Sequence, residues 1–281
     1  MEKIIIDSHS HLGVGFKGKI ATPDEYMIVK EKYNISLSLL MPQPILNREK
    51  RNILLFDDIN MKTYNVICNS PLKDSSFFIP MISPIYMDVS HIERYIELYH
   101  PVAFKIHYKS DFSFPEIICN DIIKLLKKYD IPLIVHTDYS PQNNDLKGKN
   151  KNLNSSLKWF RFFIKNNIKG YLTHGARLNK EVMREISKCD NVVIGVGPDL
   201  LLQNYSESGL EINTEYLKCL HDNVNPKNLL FDVDYNWNLT SENDFDYDSL
   251  NRINMLWNSD EANLILGDNS KKFFKIKIKE R

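Results

Sequence analysis

The 281-residue chain has few cysteines, no excess charge of either sign and no long apolar run. Lys plus Arg and Asp plus Glu each number 36, so the chain lacks the basic footprint of a nucleic-acid-binding protein. The four cysteines show no Cys-x-x-Cys spacing, which argues against a zinc–cysteine motif and favours reduced thiols. They are Cys68, Cys119, Cys189 and Cys219.

The sequence also shows no pattern that is typical of membrane association. No apolar stretch approaches the roughly 18 residues of a membrane-spanning helix. The first residues lack a basic region followed by a long apolar segment, which a secretory signal would show. We therefore expect a cytoplasmic protein whose partner is a small molecule and that binds neither nucleic acid nor membrane.

Eight short apolar segments predict β-strands, and helical periodicity separates most of them. Alternating strands and helices predict parallel βαβ units, and eight units in a chain of this length predict a (β/α)₈ TIM barrel over residues 1–281. An open doubly wound sheet is the alternative. Residues 139–154 predict a polar, mobile loop after the fifth strand. The predicted strands are Lys3–Ile6, Leu37–Met41, Phe77–Ile82, Val102–Ile106, Pro132–Val135, Gly170–Thr173, Asn191–Val196 and Asn228–Phe231.

Two histidines follow the first predicted strand. His9 and His11 are two residues apart, so an extended backbone projects both imidazoles from one face. Two convergent imidazoles are half of a transition-metal site. An isolated His-x-His is nevertheless more often a pair of surface histidines than a metal site.

Further polar residues fall at the ends of later strands. His107, His136 and His174 end the fourth, fifth and sixth strands, and Asp232 and Asp234 end the eighth. In a barrel these ends meet at one mouth, where (β/α)₈ enzymes carry their chemistry. A ligand set of nitrogen and oxygen atoms without thiolate suits Zn²⁺, and also Mn²⁺, Fe²⁺ or Co²⁺.

As a set, these motifs resemble the amidohydrolase superfamily, specifically its amidohydrolase-related (amidohydrolase 2) branch. The resemblance extends in order over essentially the whole chain. The motifs are Asp-Ser-His-Ser-His-Leu-Gly at residues 7–13, His136, Thr-His-Gly at 173–175, Leu-Leu-Phe-Asp-Val-Asp-Tyr at 229–235 and Ile-Leu-Gly-Asp-Asn-Ser-Lys-Lys-Phe-Phe at 265–274.

The resemblance implies a mononuclear site with one divalent metal, most often zinc, held by His9, His11, His136 and Asp234. Asp234 would also act as the catalytic base. His174 would be an acid/base or substrate-orienting group, and in relatives with two metals it would bind the second, which we expect less here.

Three further residues are candidates for substrate binding: Lys105, His107 and Arg177. We expect Lys105 to be a plain lysine, although binuclear relatives carry a carboxylated lysine on the fourth strand. Arg177 suits a substrate carboxylate, but a surface position at a helix start is an equal alternative.

The leading function is a metal-dependent hydrolase that cleaves a C–N or C–O acyl bond of a small molecule. The alternative is a metal-dependent nonoxidative decarboxylase of a small aromatic or unsaturated acid, since the same branch includes such enzymes. A binding protein on a degraded barrel is a third hypothesis, and the intact ligand set speaks against it. Exposed barrel helices could also pair two copies into a homodimer.

Overall fold

The computed structural model describes residues 3–14, 20–44, 52–107, 115–137, 155–197, 209–235 and 249–277. Nine strands lie within these ranges. The strands are β1 (Ile6–Val14), β2 (Ile20–Ala21), β3 (Leu37–Pro42), β4 (Ser76–Phe78), β5 (Phe104–Ile106), β6 (Leu133–Val135), β7 (Gly170–Leu172), β8 (Val192–Gly195) and β9 (Leu229–Leu230). The predicted loop at residues 139–154 lies outside the described residues.

Eight of these strands are parallel and close into a barrel. One sheet has the order β2-β1-β3-β4, in which β2 is an antiparallel edge strand, and the other has the order β5-β6-β7-β8-β9. Lys105 on β5 bridges the two sheets, because its N–H donates to the Pro80 carbonyl and its carbonyl accepts from Ile82. The Ser8 N–H donates to the Phe231 carbonyl at 3.0 Å, which joins the last strand to β1. The predicted barrel is confirmed, and the open sheet is excluded.

Ten α-helices lie between or after these strands within the described residues. Asn179 caps α6 by accepting hydrogen bonds from the N–H groups of Glu181 and Val182, as its position in the sequence predicts. The helices are α1 (Pro23–Lys32), α2 (Ile53–Cys68), α3 (Val89–Tyr99), α4 (Asn120–Tyr129), α5 (Ser155–Asn166), α6 (Lys180–Ile186), α7 (Gly209–Asn223), α8 (Ser249–Leu256), α9 (Ser259–Asn263) and α10 (Asn269–Phe273). None of the helices in the described ranges combines the length and apolarity that a bilayer crossing needs.

The apolar core has two parts. Strand residues that point outward pack against the helices and form the larger part. Residues that point inward, such as Leu39 and Met41 on β3, fill the barrel together with Phe273 and Phe274 from the end of α10. Because Ile4 and Leu37 at the strand starts pack against this inner cluster, the bottom of the barrel is filled. A functional site can therefore form only at the opposite end of the barrel, at the carboxyl ends of the strands.

The first strand differs from its prediction. It spans Ile6–Val14 instead of ending at Ile6, so His9 and His11 lie within it. The strand continues because its buried polar side chains find partners: Ser8 Oγ lies 2.7 Å from Ser270 Oγ, and Ser10 Oγ donates to Asp7 at 2.6 Å. An apolar run predicts a strand end at the first polar residue, but these hydrogen bonds between polar side chains allow the strand to continue.

Candidate metal centre

His9 and His11 converge as their spacing predicts. Their Nε2 atoms lie 3.1 Å apart, and both rings are buried. His11 Nδ1 lies 2.7 Å from the Pro42 carbonyl on β3, which can only accept a hydrogen bond. His11 therefore carries its proton on Nδ1, and Nε2 keeps a lone pair that can bind a metal.

Asp234 joins this pair from the other side of the closure between β9 and β1. Its N–H donates to the His9 carbonyl at 2.8 Å, and its φ of 51° lies in the left-handed region. Its carboxylate lies 3.5 Å from His9 Nδ1 and 3.8 Å from His11 Nε2. Each of the three residues offers a ligand atom within 4.8 Å of the others.

The three residues fit a divalent transition metal. His9 Nε2 lies 2.8 Å from Lys105 Nζ, so Nδ1, which lies 3.5 Å from the Asp234 carboxylate, is the His9 nitrogen that can bind a metal. His9 Nδ1 is buried and has no hydrogen-bond partner. Burial, reinforced by the charge of Lys105, lowers the pKa of His9 well below its usual range and that of His11 to about 3. Both imidazoles are thus in the neutral form that binds metals.

A second group of histidines adjoins the first. His174 Nε2 lies 3.0 Å from His136 Nδ1, and the His107 ring stacks on His136 with centroids 4.0 Å apart. His174 Nδ1 lies 3.7 Å from Asp234 Oδ2, so Asp234 stands between the two groups. Among the described residues, the set of potential ligands within 4.8 Å of one another does not include His136. Its role as a metal ligand stays a prediction.

Left-handed backbone holds His174 and Arg177 at the mouth. Residues 174–178 all have φ between 49° and 57°, and only Gly175 among them lacks a side chain. Each non-glycine residue in this region costs roughly 1–2 kcal/mol. Such strain concentrates at functional sites, where the surrounding structure enforces it. Arg177 is buried and its Nε donates to the Thr137 carbonyl at 2.8 Å, so it is not the surface residue that the sequence left as an alternative.

Lys105 points into the barrel and is fully buried. Its Nζ lies 2.8 Å from His9 Nε2. Burial lowers the pKa of Lys105 to about 7, against the opposing effect of the Asp234 and Asp232 carboxylates. Lys105 therefore lies against the predicted metal ligands. Its predicted role in substrate binding stays a prediction, as does that of His107.

Comparisons with known proteins agree on the fold. No family model matches the sequence, and a search of curated proteins finds no match. Among solved structures, an amidohydrolase from Burkholderia multivorans with bound zinc has a TM-score of 0.69 at 12% identity, over 98% of this chain and all of that one. A 2,6-dihydroxybenzoate decarboxylase in complex with 2,6-dihydroxybenzoate has a TM-score of 0.69 at 11% identity, over 98% and 99% of the two chains. A putative 2-pyrone-4,6-dicarboxylic acid hydrolase from Pseudomonas putida has a TM-score of 0.64 at 14% identity, over 99% and 100%.

The chain has the amidohydrolase-type (β/α)₈ fold. The resemblance that its motifs carry is thereby confirmed at the level of the fold, over nearly the whole chain. At these identities the likeness concerns the fold alone, and the reaction has to be argued from the site.

Asp232 shapes the floor of the site in this amidohydrolase-type barrel. The Tyr171 hydroxyl on β7 donates to its carboxylate, and burial raises the pKa of Asp232 to about 7. A Cβ atom on Gly195 or Gly197 would lie 2.0 or 1.5 Å from an Asp232 oxygen. Glycine at both positions of the strand end therefore makes room for this carboxylate. The sequence places Asp232 at the end of the eighth strand, but no sequence pattern indicates Tyr171 as its partner.

Asp7 is the main residue that sequence reasoning missed. Its carboxylate is fully buried and accepts hydrogen bonds from the Tyr26 hydroxyl, the His9 N–H at 3.2 Å and the Val233 N–H at 3.0 Å, besides Ser10. Burial raises the pKa of Asp7, and these hydrogen bonds oppose that effect. An acidic residue directly after three isoleucines in a predicted buried strand was the available signal.

Proposed function

We propose that this protein is a metal-dependent hydrolase that cleaves a C–N or C–O acyl bond (amide, lactone or ester) of a small molecule. His9, His11, His136 and Asp234 would hold one divalent transition metal. The convergence of His9, His11 and Asp234 at the barrel mouth carries this proposal. Zinc is our first choice because the donors are nitrogen and oxygen atoms and because a structure of the same fold has bound zinc.

The metal would supply a Lewis acid and lower the pKa of a bound water molecule toward ~7. The two oxygens of Asp234 face different partners: Oδ1 lies 3.5 Å from His9 Nδ1, and Oδ2 lies 3.7 Å from His174 Nδ1. Asp234 can therefore take a proton from the attacking water and pass it to His174. His174 can then donate that proton to the leaving nitrogen or oxygen.

Three buried groups around the mouth are our candidates for binding the substrate: Lys105, His107 and Arg177. The Arg177 Nε donates a hydrogen bond to the Thr137 carbonyl. The left-handed backbone of residues 174–178 holds Arg177 close to His174. A guanidinium in this place suits a planar carboxylate on the substrate.

The same Arg177 favours one alternative function, nonoxidative decarboxylation of a small aromatic or unsaturated acid. Such an enzyme needs a cation to orient the carboxylate that leaves as CO₂, and a decarboxylase of 2,6-dihydroxybenzoate shares this fold. Hydrolysis remains our preference because Asp234 and His174 together supply the proton transfers that water attack requires.

A substrate screen tests the proposal and separates the two reactions. Lactones, amides, esters and aromatic acids would be incubated with protein purified without chelator, while acid production and CO₂ release are recorded. We expect acid production that Asp234→Asn abolishes and that His221→Asn, a change at an exposed histidine, leaves unchanged. Release of CO₂ from a carboxylated ring without net addition of water would overturn the hydrolase assignment.

We also propose a cytoplasmic location. All four cysteines are free thiols, and none is paired in a disulfide. Free thiols are typical of a reducing compartment. Localisation of the tagged protein in its host would test this directly, and export would contradict it.

A further inference from the structure

Gln43 directly follows β3, which ends at Pro42. Leu37, Leu39 and Met41 belong to or pack on the cluster that fills the barrel. Because side chains alternate along a strand, the next inward position after Met41 is Gln43. Met41 is paired with His11 on β1, and the Gln43 N–H donates to the Leu12 carbonyl at 3.1 Å. The Gln43 side chain therefore stands one step above His11, at the mouth.

The Gln43 amide is buried and unsatisfied. Only 3% of the residue is exposed, and neither Nε2 nor Oε1 has a hydrogen-bond partner. Exchanging the two atoms would not change this, because both lack a partner. Buried amides in folded proteins are nearly always hydrogen-bonded, so a completely unpaired one requires an explanation.

Asn60 on α2 is a buried amide side chain with a structural role, and it provides a comparison for Gln43. Its Nδ2 donates to the Met81 carbonyl at 2.8 Å, and its Oδ1 accepts from the Met81 N–H at 2.8 Å. Asn60 thus makes the two-point contact that an amide side chain can offer. Gln43 has the same pair of groups, and neither of them has a protein partner.

We propose that Gln43 recognises the substrate by pairing with a ring amide, that is, a lactam or cyclic imide. A ring amide holds its N–H and C=O side by side in the cis arrangement, which matches one acceptor and one donor of Gln43. A carboxylate offers two acceptor oxygens, and one of them would lie against Oε1, which is also an acceptor. A lactone has no N–H that could donate to Oε1. The inference rests on the proposed hydrolase function and narrows its substrate class from acyl bonds in general to ring amides.

The test compares two six-membered rings: glutarimide, which has an N–H between two carbonyls, and cyclohexanone, which has one carbonyl and no N–H. Dissociation constants would be measured by ligand-observed NMR on protein purified without chelator. We expect the protein to bind glutarimide about fivefold more tightly than cyclohexanone, the effect of one added hydrogen bond, since the cyclohexanone carbonyl can still accept from Gln43. Gln43→Met, which conserves the side chain's length, should remove that preference.

Thermal unfolding of the same variants supplies a readout that needs no turnover. Gln43→Met should raise Tm by about 2 °C, because an unsatisfied buried amide is removed. Asn60→Leu, the matched control, should lower Tm because it leaves the Met81 backbone groups unpaired. Absence of a glutarimide preference, its survival in Gln43→Met, or a fall of Tm in Gln43→Met would each overturn the proposal. Failure of the hydrolase assignment would appear separately, as absence of bound metal and of acid production.

Discussion

Asp7 Oδ1 accepts the backbone N–H of Val233 at 3.0 Å, which ties the first strand to the residue just before Asp234. The same oxygen accepts the His9 N–H at 3.2 Å. One buried carboxylate therefore sets the position of both sides of the candidate metal site. The closure of the barrel and the geometry of the site depend on the same residue.

Replacement of Asp7 by Asn should weaken both metal binding and folding. Asparagine offers one acceptor oxygen where the carboxylate receives four hydrogen bonds, and its amide hydrogens oppose the remaining donors. We expect a loss of about 2–4 kcal/mol in the free energy of unfolding, measured with urea. Zinc affinity should fall about 10–100-fold in competition with a chromophoric chelator.

Asp58→Asn is the matched control for Asp7→Asn. Asp58 pairs with Lys62 at 2.8 Å on the exposed face of α2, where such pairs contribute about 1 kcal/mol or less. Its substitution should leave zinc affinity unchanged. Equal zinc affinity in Asp7→Asn and wild type would show that Asp7 does not position the ligands.

Gly195→Ala should disturb the floor of the site. The new Cβ would lie 2.0 Å from an Asp232 oxygen and 2.6 Å from the Tyr171 hydroxyl, so the two side chains must separate. We expect a loss of about 1–3 kcal/mol in the free energy of unfolding together with lower zinc affinity.

Gly170→Ala is the matched control for Gly195→Ala. Its Cβ would lie 2.0 Å from the Phe163 ring, at the start of β7 and away from the mouth. That variant should lose stability and keep its zinc affinity; a matching loss of affinity in both would contradict the assignment.

Lys30 should make stability depend on pH in the alkaline range. Burial lowers its pKa to about 8, while the unfolded chain keeps a lysine pKa near ~10.4. Below pH 8 both states carry the proton, and the cost of burying the charge is fully present. Between the two pKa values the unfolded state binds more protons, so the Lys30 contribution to stability rises with pH.

Lys30→Met removes this dependence. The difference in free energy of unfolding between Lys30→Met and wild type should therefore shift in favour of wild type as the pH rises from about 8 to about 10. Urea unfolding at several pH values measures it. Lys62→Met, at an exposed position, is the matched control. Parallel curves for Lys30→Met and wild type would show that the Lys30 pKa is not shifted.

The sequence predicts the barrel well because its elements repeat. All eight parallel strands occur where apolar runs predict them, and the caps at Asn179 and before α9 follow local rules. The least accurate boundary is that of β1. Its polar residues are stabilised by Ser270, Tyr26 and other residues that are distant in sequence, and no local pattern reveals such partners.

The sequence predicts which residues lie near one another at the mouth, but it does not predict their contacts. The five histidines at strand ends do come together with Asp234, because parallel strands bring their carboxyl ends to one mouth. The buried state of Arg177 depends on a left-handed turn, and no sequence rule assigns such a turn to four non-glycine residues. The unpaired amide of Gln43 became visible only once its surroundings were known.

The most direct test of the metal site is the metal content of protein purified without chelator, measured by elemental analysis beside His11→Ala. We predict about one equivalent of a divalent transition metal per chain in the wild type, and its loss together with activity in His11→Ala. Folding of the variant would be verified by thermal unfolding. A wild-type protein that contains no transition metal and rebinds none, or a folded His11→Ala that keeps metal and activity, would contradict the metal centre.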